Sequence, residues 1–346
     1  MKHIIGCKPQ FDLPQVKTVI VDDDSAGQRL DNFLLRQLKG VPKTHVYRII
    51  RSGEVRVNKG RASADTRLAL GDVVRVPPVR ISERVLEKEE AMAAAVVRGV
   101  PARDFPVLLE DEGLLAMDKP AGVAVHGGSG VSFGVIEQLR MARPQARFLE
   151  LVHRLDRETS GILLIAKKRS ALTKLQDQFR ERETGKTYLA LVRGCWPANK
   201  KVLDKPLHKF LLDGKDGVTG SGERRVKVVP RDDPNGMPSV TLVKIRQTVA
   251  NRFTLLEVTI KTGRTHQIRV HLASEGFPIV GDDKYGDFEL NKTLARPASS
   301  PNLTRMFLHA WRLQFSHPAS GERVELLAPL PPELEKFLTD AASAAA

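Results

Sequence analysis

Residues 83–104 divide the chain, and no other feature limits its fold as strongly. Glu83, Glu87, Glu89 and Glu90 are followed by the alanine-rich run Ala91–Ala95. Such a stretch has helix propensity but little to offer a core, so it reads as a linker. The chain must then build separate units: a tail over 1–20, a small unit over 21–82, a large one over 105–330, and a C-terminal helix with an Ala-rich tail over 331–346.

The small unit is basic. Between Arg29 and Arg61 stand nine Lys or Arg and only two acids, Asp31 and Glu54. Leu30, Phe33, Leu34 and Leu38 follow the spacing of an amphipathic helix. A second helix is expected from Pro42 to Arg51, with Pro42 in its first turn, Val46, Ile49 and Ile50 inward, and Gly53 after its end. Val55–Val57 and Val73–Val76 read as short strands, the first turning through Asn58-Lys59-Gly60.

In the large unit, strand-like runs cover Leu114–Met117, Ile162–Ala166, Tyr188–Val192, Val226–Val229, Val240–Lys244 and Phe253–Ile260. Helix-like runs cover Val131–Met141, Ala171–Arg182 and Thr265–Ser274. Strands outnumber helices and do not alternate strictly with them, which argues against a doubly wound sheet. The expected class is α+β: a mixed, largely antiparallel sheet flanked by helices. Residues 212–236, rich in Gly, Asp and Lys, read as a loop or extended hairpin.

Charge narrows the partners. The 346 residues carry 55 Lys and Arg against 41 Asp and Glu, a formal net charge of +14 and a sequence pI of about 9.9. That excess suits a polyanion, because each neutralised phosphate releases counterions; a solvated basic surface is the alternative. Cys7 and Cys195 are too few and too far apart for a disulfide framework or a thiolate zinc site, and fit a reducing cytoplasm. The N-terminus lacks an apolar signal-peptide core, and no apolar run approaches the ~18–20 residues of a membrane span. A soluble, cytoplasmic protein is expected.

Four clusters carry polar chemistry. His153-Arg154-Leu155-Asp156-Arg157-Glu158-Thr159-Ser160-Gly161 is a charged loop feeding the apolar strand Ile162–Ile165. A carboxylate flanked by guanidinium groups near a core is held ionised; a structural ion-pair cluster at a sheet edge fits the spacing equally. Thr262–His271 contains Gly263-Arg264-Thr265-His266-Gln267-Ile268-Arg269-Val270-His271, with Gly263 as a helix-entry turn, Thr265 as a cap, and His266 and Arg269 on one helix face. His266 and His271, five apart, diverge around a helix, so no metal site is expected. Lys186–Gly194 is a strand holding Tyr188, which lies on the face opposite Leu189 and Leu191. Asp118-Lys119-Pro120-Ala121-Gly122 reads as a structural turn.

Together these clusters resemble the pseudouridine synthases of the RluA/RluC/RluD type, closest to those acting on large-subunit ribosomal RNA. The stretches match the family's HRLDxxTSG, GRTHQIRVH, KxYxALVxG and DKPxG motifs, and residues 21–82 resemble an S4 RNA-binding domain. In many S4 domains a Gly directly follows the Asn of the turn; here Lys59 intervenes.

The resemblance implies isomerisation of uridine to pseudouridine in 23S ribosomal RNA or a large-subunit precursor, by a monomer without cofactor or metal. It implies Asp156 as the essential carboxylate, Tyr188 stacked on the target base and Arg269 paired with Asp156. Arg154, His153, Arg264 and His266 would bind the substrate. Arg29, Lys43, Arg48, Arg51, Arg56, Lys59 and Arg61 would contact RNA phosphates. The rival readings are a non-catalytic S4-type ribosome-assembly factor, which would not need Asp156, and an RNA hydrolase, which would want a metal or paired catalytic histidines.

Overall fold

The computed structural model describes residues 16–22, 25–38, 41–79, 102–127, 133–211 and 224–344. The chain divides into two compact units, Met1–Pro101 and Ala102–Ala346. Most of the expected linker, residues 83–101, lies outside the described residues.

The smaller unit runs β1 (Lys17–Ile20), α1 (Leu30–Gln37), α2 (Lys43–Arg51), β2 (Arg56–Val57) and β3 (Val73–Val76), with the strands ordered β1-β3-β2, all antiparallel. β1 falls inside the segment read as a tail. Leu30, Phe33 and Leu34 of α1 meet Val46, Ile49 and Ile50 of α2 over Val74 and Val76. Each such burial contributes about 1.5–3 kcal/mol. Pro42 stands one position earlier than expected, as the residue preceding α2 with ψ 139°. Asn58 and Lys59 both have positive φ, 48° and 67°. They form a two-residue turn closed by Val57 and Gly60, whose backbones exchange hydrogen bonds of 2.8 and 3.1 Å.

The larger unit is built on a ten-stranded sheet. Its elements are β4 (Val107–Glu110), β5 (Leu114–Lys119), α3 (Val135–Ala142), β6 (Glu150–Leu151), β7 (Ser160–Ala166), α4 (Arg169–Glu181), β8 (Gly185–Arg193), β9 (Val202–Asp204), β10 (Leu207–Leu211), β11 (Arg224–Val228), β12 (Val240–Val249), β13 (Phe253–Ile260), α5 (Gln267–Ser274), α6 (Phe288–Leu294), β14 (Leu308–Ser316), β15 (Arg323–Leu327) and α7 (Pro332–Ser343). The sheet order is β4-β5-β7-β14-β8-β13-β12-β9, with β15 on β14 and β6 on β7. β10 and β11 pair as a separate antiparallel hairpin; of the segment 212–236, residues 212–223 lie outside the described residues, and the rest holds β11 and a turn at Pro230.

Among the described residues, only β7 and β14 pair in parallel, through Ser160 with His309 and Gly161 with Ala310. The apolar run of β7 is explained by burial on both faces. Ile162 and Leu164 pack with Leu172, Leu175 and Phe315. Leu163 and Ile165 pack with Val135 and Leu139 of α3. On β8, Leu189 and Leu191 face Leu334 and Phe337 of α7, which makes that helix part of the core. Tyr188 points to the other side, as the alternation required.

Candidate active site

The loop between β6 and β7 carries Asp156 to the parallel seam of the sheet. Three devices hold it there. First, Gly161 has φ +109°, and a Cβ on it would lie 2.3 Å from the Ala310 carbonyl oxygen. Only glycine permits that approach of β7 to β14. Second, the Ser160 hydroxyl lies 2.9 Å from His309 Nδ1 and accepts from Arg305 at 2.7 Å. Burial pushes the His309 imidazole down to about 4, so it is neutral and can accept the hydroxyl proton. Third, the fully buried Lys119 donates to the carbonyls of Pro120, Val123 and Arg157 at 2.7, 2.8 and 3.1 Å. The Asp118–Gly122 turn therefore clamps the loop. Burial lowers the Lys119 ammonium to about 7, against the opposing pull of Glu158.

Asp156 is half-buried, its side chain 31% exposed. The Arg269 guanidinium lies 3.5 Å from it, and His266 Nε2 lies 3.9 Å away. Arg269 thus pairs with Asp156, but its shorter contacts are to Asp282, with a bidentate fork of 2.7 and 2.6 Å, and to Asp283 at 3.0 Å. Burial disfavours the charge on Arg269, but the hydrogen bonds to Asp282 and the carboxylates around it raise its pKa on balance. Asp282 is fully buried and also accepts from the amides of Lys284 and Tyr285 at 2.8 and 2.9 Å. Asp282 thus holds Arg269, and Arg269 turns its remaining nitrogen toward Asp156.

His266 precedes α5 in the left-handed region, φ +51°, a conformation that costs a non-glycine residue roughly 1–2 kcal/mol. Strain of this kind at the mouth of a polar cleft marks a constrained side chain. Thr265 is not the cap: His266 holds the N-cap position, and its side chain makes no capping hydrogen bond. Gln267, the first residue of α5, braces the approach, its Oε1 accepting from the Thr262 hydroxyl at 2.7 Å and the Arg264 amide at 3.1 Å. His271 faces Thr241 and the Lys205 carbonyl, away from His266.

A cavity of about 100 Å³ is lined by Asp156, Tyr188, Arg154, Arg264, His266 and Arg269 among others. A wider cleft of about 340 Å³ shares Arg154, Asp156, His266 and Arg269 and adds His126, Arg157 and Lys284. A larger cavity, about 750 Å³, touches the back of the loop at Glu158 and Ser160 but not Asp156. Size therefore does not locate the chemistry; the converging charges do. Burial, reinforced by the charge of Asp156, raises the pKa of Tyr188 and keeps its phenol protonated.

His153 is not brought to the cleft. Its ring stacks on Phe179 at 4.8 Å and its Nε2 accepts from the Leu164 amide at 3.2 Å. Burial pushes it down to about 4, so it is a neutral packing residue. Arg154 is exposed at the cleft, and Arg264 donates to the Pro238 carbonyl at 3.4 Å.

The residues missed from sequence are Asp282, Asp283 and Tyr285. The signal was there, two adjacent acids and an aromatic between Gly281 and Gly286, but the stretch lies outside the four clusters.

In the smaller unit, Arg29 forks onto Asp31 at 3.1 and 2.7 Å, and Tyr47 donates to the same carboxylate at 3.0 Å. Arg48 pairs with Glu54 at 3.3 Å, Arg51 donates to the Tyr47 carbonyl and Arg61 to the Ser52 carbonyl. Lys43 and Lys59 are exposed, and Arg56 is half-buried.

A sheet with one parallel seam, a clamped loop presenting a carboxylate, and an arginine and tyrosine converging on it define a class. A family model described as RNA pseudouridylate synthase matches residues 113–274, and one described as S4 domain matches residues 28–74. The chain belongs to the RNA pseudouridylate synthase family and carries an S4 domain ahead of the synthase domain. It is 51% identical over 323 residues to ribosomal large subunit pseudouridine synthase C of Pasteurella multocida (strain Pm70), covering 93% of each chain. It is 50% identical over 325 residues to the protein of that name from Escherichia coli (strain K12), covering 94% of this chain and 96% of the other. Among solved structures, human RNA pseudouridylate synthase domain containing 4 aligns with a TM-score of 0.55 at 26% identity, covering 74% of this chain and 97% of that one.

Proposed function

We propose that the chain isomerises specific uridines to pseudouridine in 23S ribosomal RNA or its large-subunit precursor, with Asp156 as the essential residue. The observation that carries this reading is the convergence of Asp156, Tyr188 and Arg269 on one small cavity. The relatives' names, which specify the large ribosomal subunit, support the choice of RNA.

The reaction breaks the C1′–N1 bond and forms C1′–C5. The C5 proton leaves and N1 gains one, so no electrons or groups are imported and no cofactor is required. Asp156, in its ionised form, acts at the sugar, as nucleophile on C1′ or base on a sugar proton. Arg269 stabilises that charge while Asp282 fixes its orientation. The protonated Tyr188 stacks on the base and stands where C5 loses its proton.

The target must leave its stack, at a cost of a few kcal/mol. Stacking on Tyr188 offsets roughly 1–3 kcal/mol of this, by analogy with single-strand binders. Arg154 fills the vacated space, and Arg264 and His266 hold the flipped nucleotide. Lys43, Arg48, Arg51, Arg56, Lys59 and Arg61 contact phosphates, with Arg29 oriented by Asp31. The enzyme works as a cytoplasmic monomer.

The test is tritium release from a 23S transcript labelled at uridine C5. Wild-type protein should release tritium; Asp156→Asn should release none yet bind the RNA with nearly unchanged affinity. Tight binding by wild type with no release would put the binding-only assembly factor first.

A further inference from the structure

The hydroxyl of Tyr285 joins two elements that the sequence keeps apart. It accepts from the Val226 amide of β11 at 3.0 Å and lies 2.9 Å from His266 Nδ1. A phenol has one proton to give. With Val226 donating to its oxygen, the arrangement that satisfies both partners sends the phenol proton to Nδ1. His266 must then carry its own proton on Nε2, the nitrogen 3.9 Å from Asp156 Oδ2. That distance is beyond a hydrogen bond, so the N–H opens toward the small cavity that both residues line.

We propose that Tyr285 is a positioning residue that fixes His266 as a neutral Nε2–H donor, serving the Asp156 carboxylate and the bound uracil, and that His266 is no proton acceptor in the reaction. The proposal rests on the synthase reading above. Burial lowers the His266 pKa; Arg269 and Lys284 push the same way, while Asp156 and Asp282 oppose. The ring is gripped as well: Tyr285 meets it edge-on at 5.5 Å, and the Arg269 guanidinium lies 5.2 Å over the Tyr285 ring. Tyr285 therefore touches both basic partners of Asp156 without reaching the cavity.

The hairpin enters the same construction. Leu207 and Val226 pack on Val270 of α5, with Val228 and Tyr285 against them. Its Val226 amide fills one acceptor position of the phenol oxygen, which leaves the phenol proton to go to His266 Nδ1. The hairpin thereby sets the direction of a hydrogen bond next to the reacting carboxylate.

Two measurements test this. Nitrogen-15 NMR of the imidazoles in the full chain should give His266 as protonated on Nε2 and bare on Nδ1, with the two signals moving toward exchange averages in Tyr285→Phe. A proton resident on Nδ1 in the wild type overturns the proposal, and this readout does not depend on turnover. In single-turnover assays, His266→Gln places an amide donor near the Nε2 position and should keep activity within about tenfold of wild type. His266→Asn reaches only the Nδ1 position and should lose about 100-fold, the scale of one lost donor to developing charge. Tyr285→Phe should slow wild type with unchanged RNA affinity and leave His266→Gln unaffected. Equal losses in the Gln and Asn variants, or additive effects of Tyr285→Phe on both backgrounds, overturn it. A wild type without turnover would instead defeat the synthase reading.

Discussion

Asp156 and Asp282 both approach Arg269, and replacing each by Asn should separate the group that holds the arginine from the group it serves. Asp282 is fully buried and forks onto a guanidinium that is itself only 3% exposed. Removing one partner of such a buried pair typically costs about 3–5 kcal/mol, because a charge is left without compensation. Asp283 at 3.0 Å and Asp156 at 3.5 Å retain part of that compensation. The Asn amide also keeps one hydrogen bond to Arg269. The expected loss for Asp282→Asn is therefore about 2–4 kcal/mol, or a Tm fall of roughly 5–15 °C for a domain of this size. Asp156 is 31% exposed at 3.5 Å, the regime of partly solvated pairs worth about 0–1 kcal/mol. Asp156→Asn should melt within about 3 °C of wild type while losing turnover. Differential scanning calorimetry of the intact chain, followed at its larger transition, reads both. If Asp156→Asn melts as early as Asp282→Asn, or if Asp282→Asn melts like wild type, the assignment of Asp282 as the anchor is wrong.

Three further outcomes follow from the geometry. Lys59→Gly relieves a non-glycine residue at φ +67° and should raise the stability of the S4 unit by up to about 1 kcal/mol, while weakening RNA binding and flattening its salt dependence; a destabilised variant would contradict the turn. Gly161→Ala drives a Cβ into the Ala310 carbonyl and should cost more than about 3 kcal/mol by denaturant titration and lower activity; wild-type stability would refute the tight seam. His153 and His309 are held near 4 in the fold, below the ordinary imidazole value of 6.5. The unfolded chain takes up their protons first, so stability is complete above about pH 6.5 and falls toward pH 4, by about 3 kcal/mol per histidine at the limit. His309→Asn should flatten that slope, and an unchanged slope would show that His309 does not contribute.

The sequence exposed whatever sits in short, contiguous strings. The loop around Asp156, the β8 tyrosine and the α5 entry are each one run of residues, and alternation or helical spacing already fixed which side chains point inward. The S4 helices were legible for the same reason. What stayed hidden depends on contacts between distant segments. β1 shows four residues whose partner, β3, lies more than fifty positions away. β14 carries His309, Trp311 and Arg312 and an irregular register with β8, which breaks the apolar rhythm of a strand. Asp282 and Tyr285 act on Arg269 and His266 only after the chain brings their turn across α5. His153 misled for the opposite reason: it belongs to the same string as Asp156, but its ring turns into the packing around Phe179.

The most direct test is chemical mapping of pseudouridine across 23S ribosomal RNA from cells lacking the gene, complemented with wild-type or Asp156→Asn protein. The account predicts that specific pseudouridines vanish with the gene, return with wild type, and do not return with Asp156→Asn. Restoration by the Asn protein would contradict the catalytic role of Asp156, and an unchanged 23S pattern would contradict the substrate.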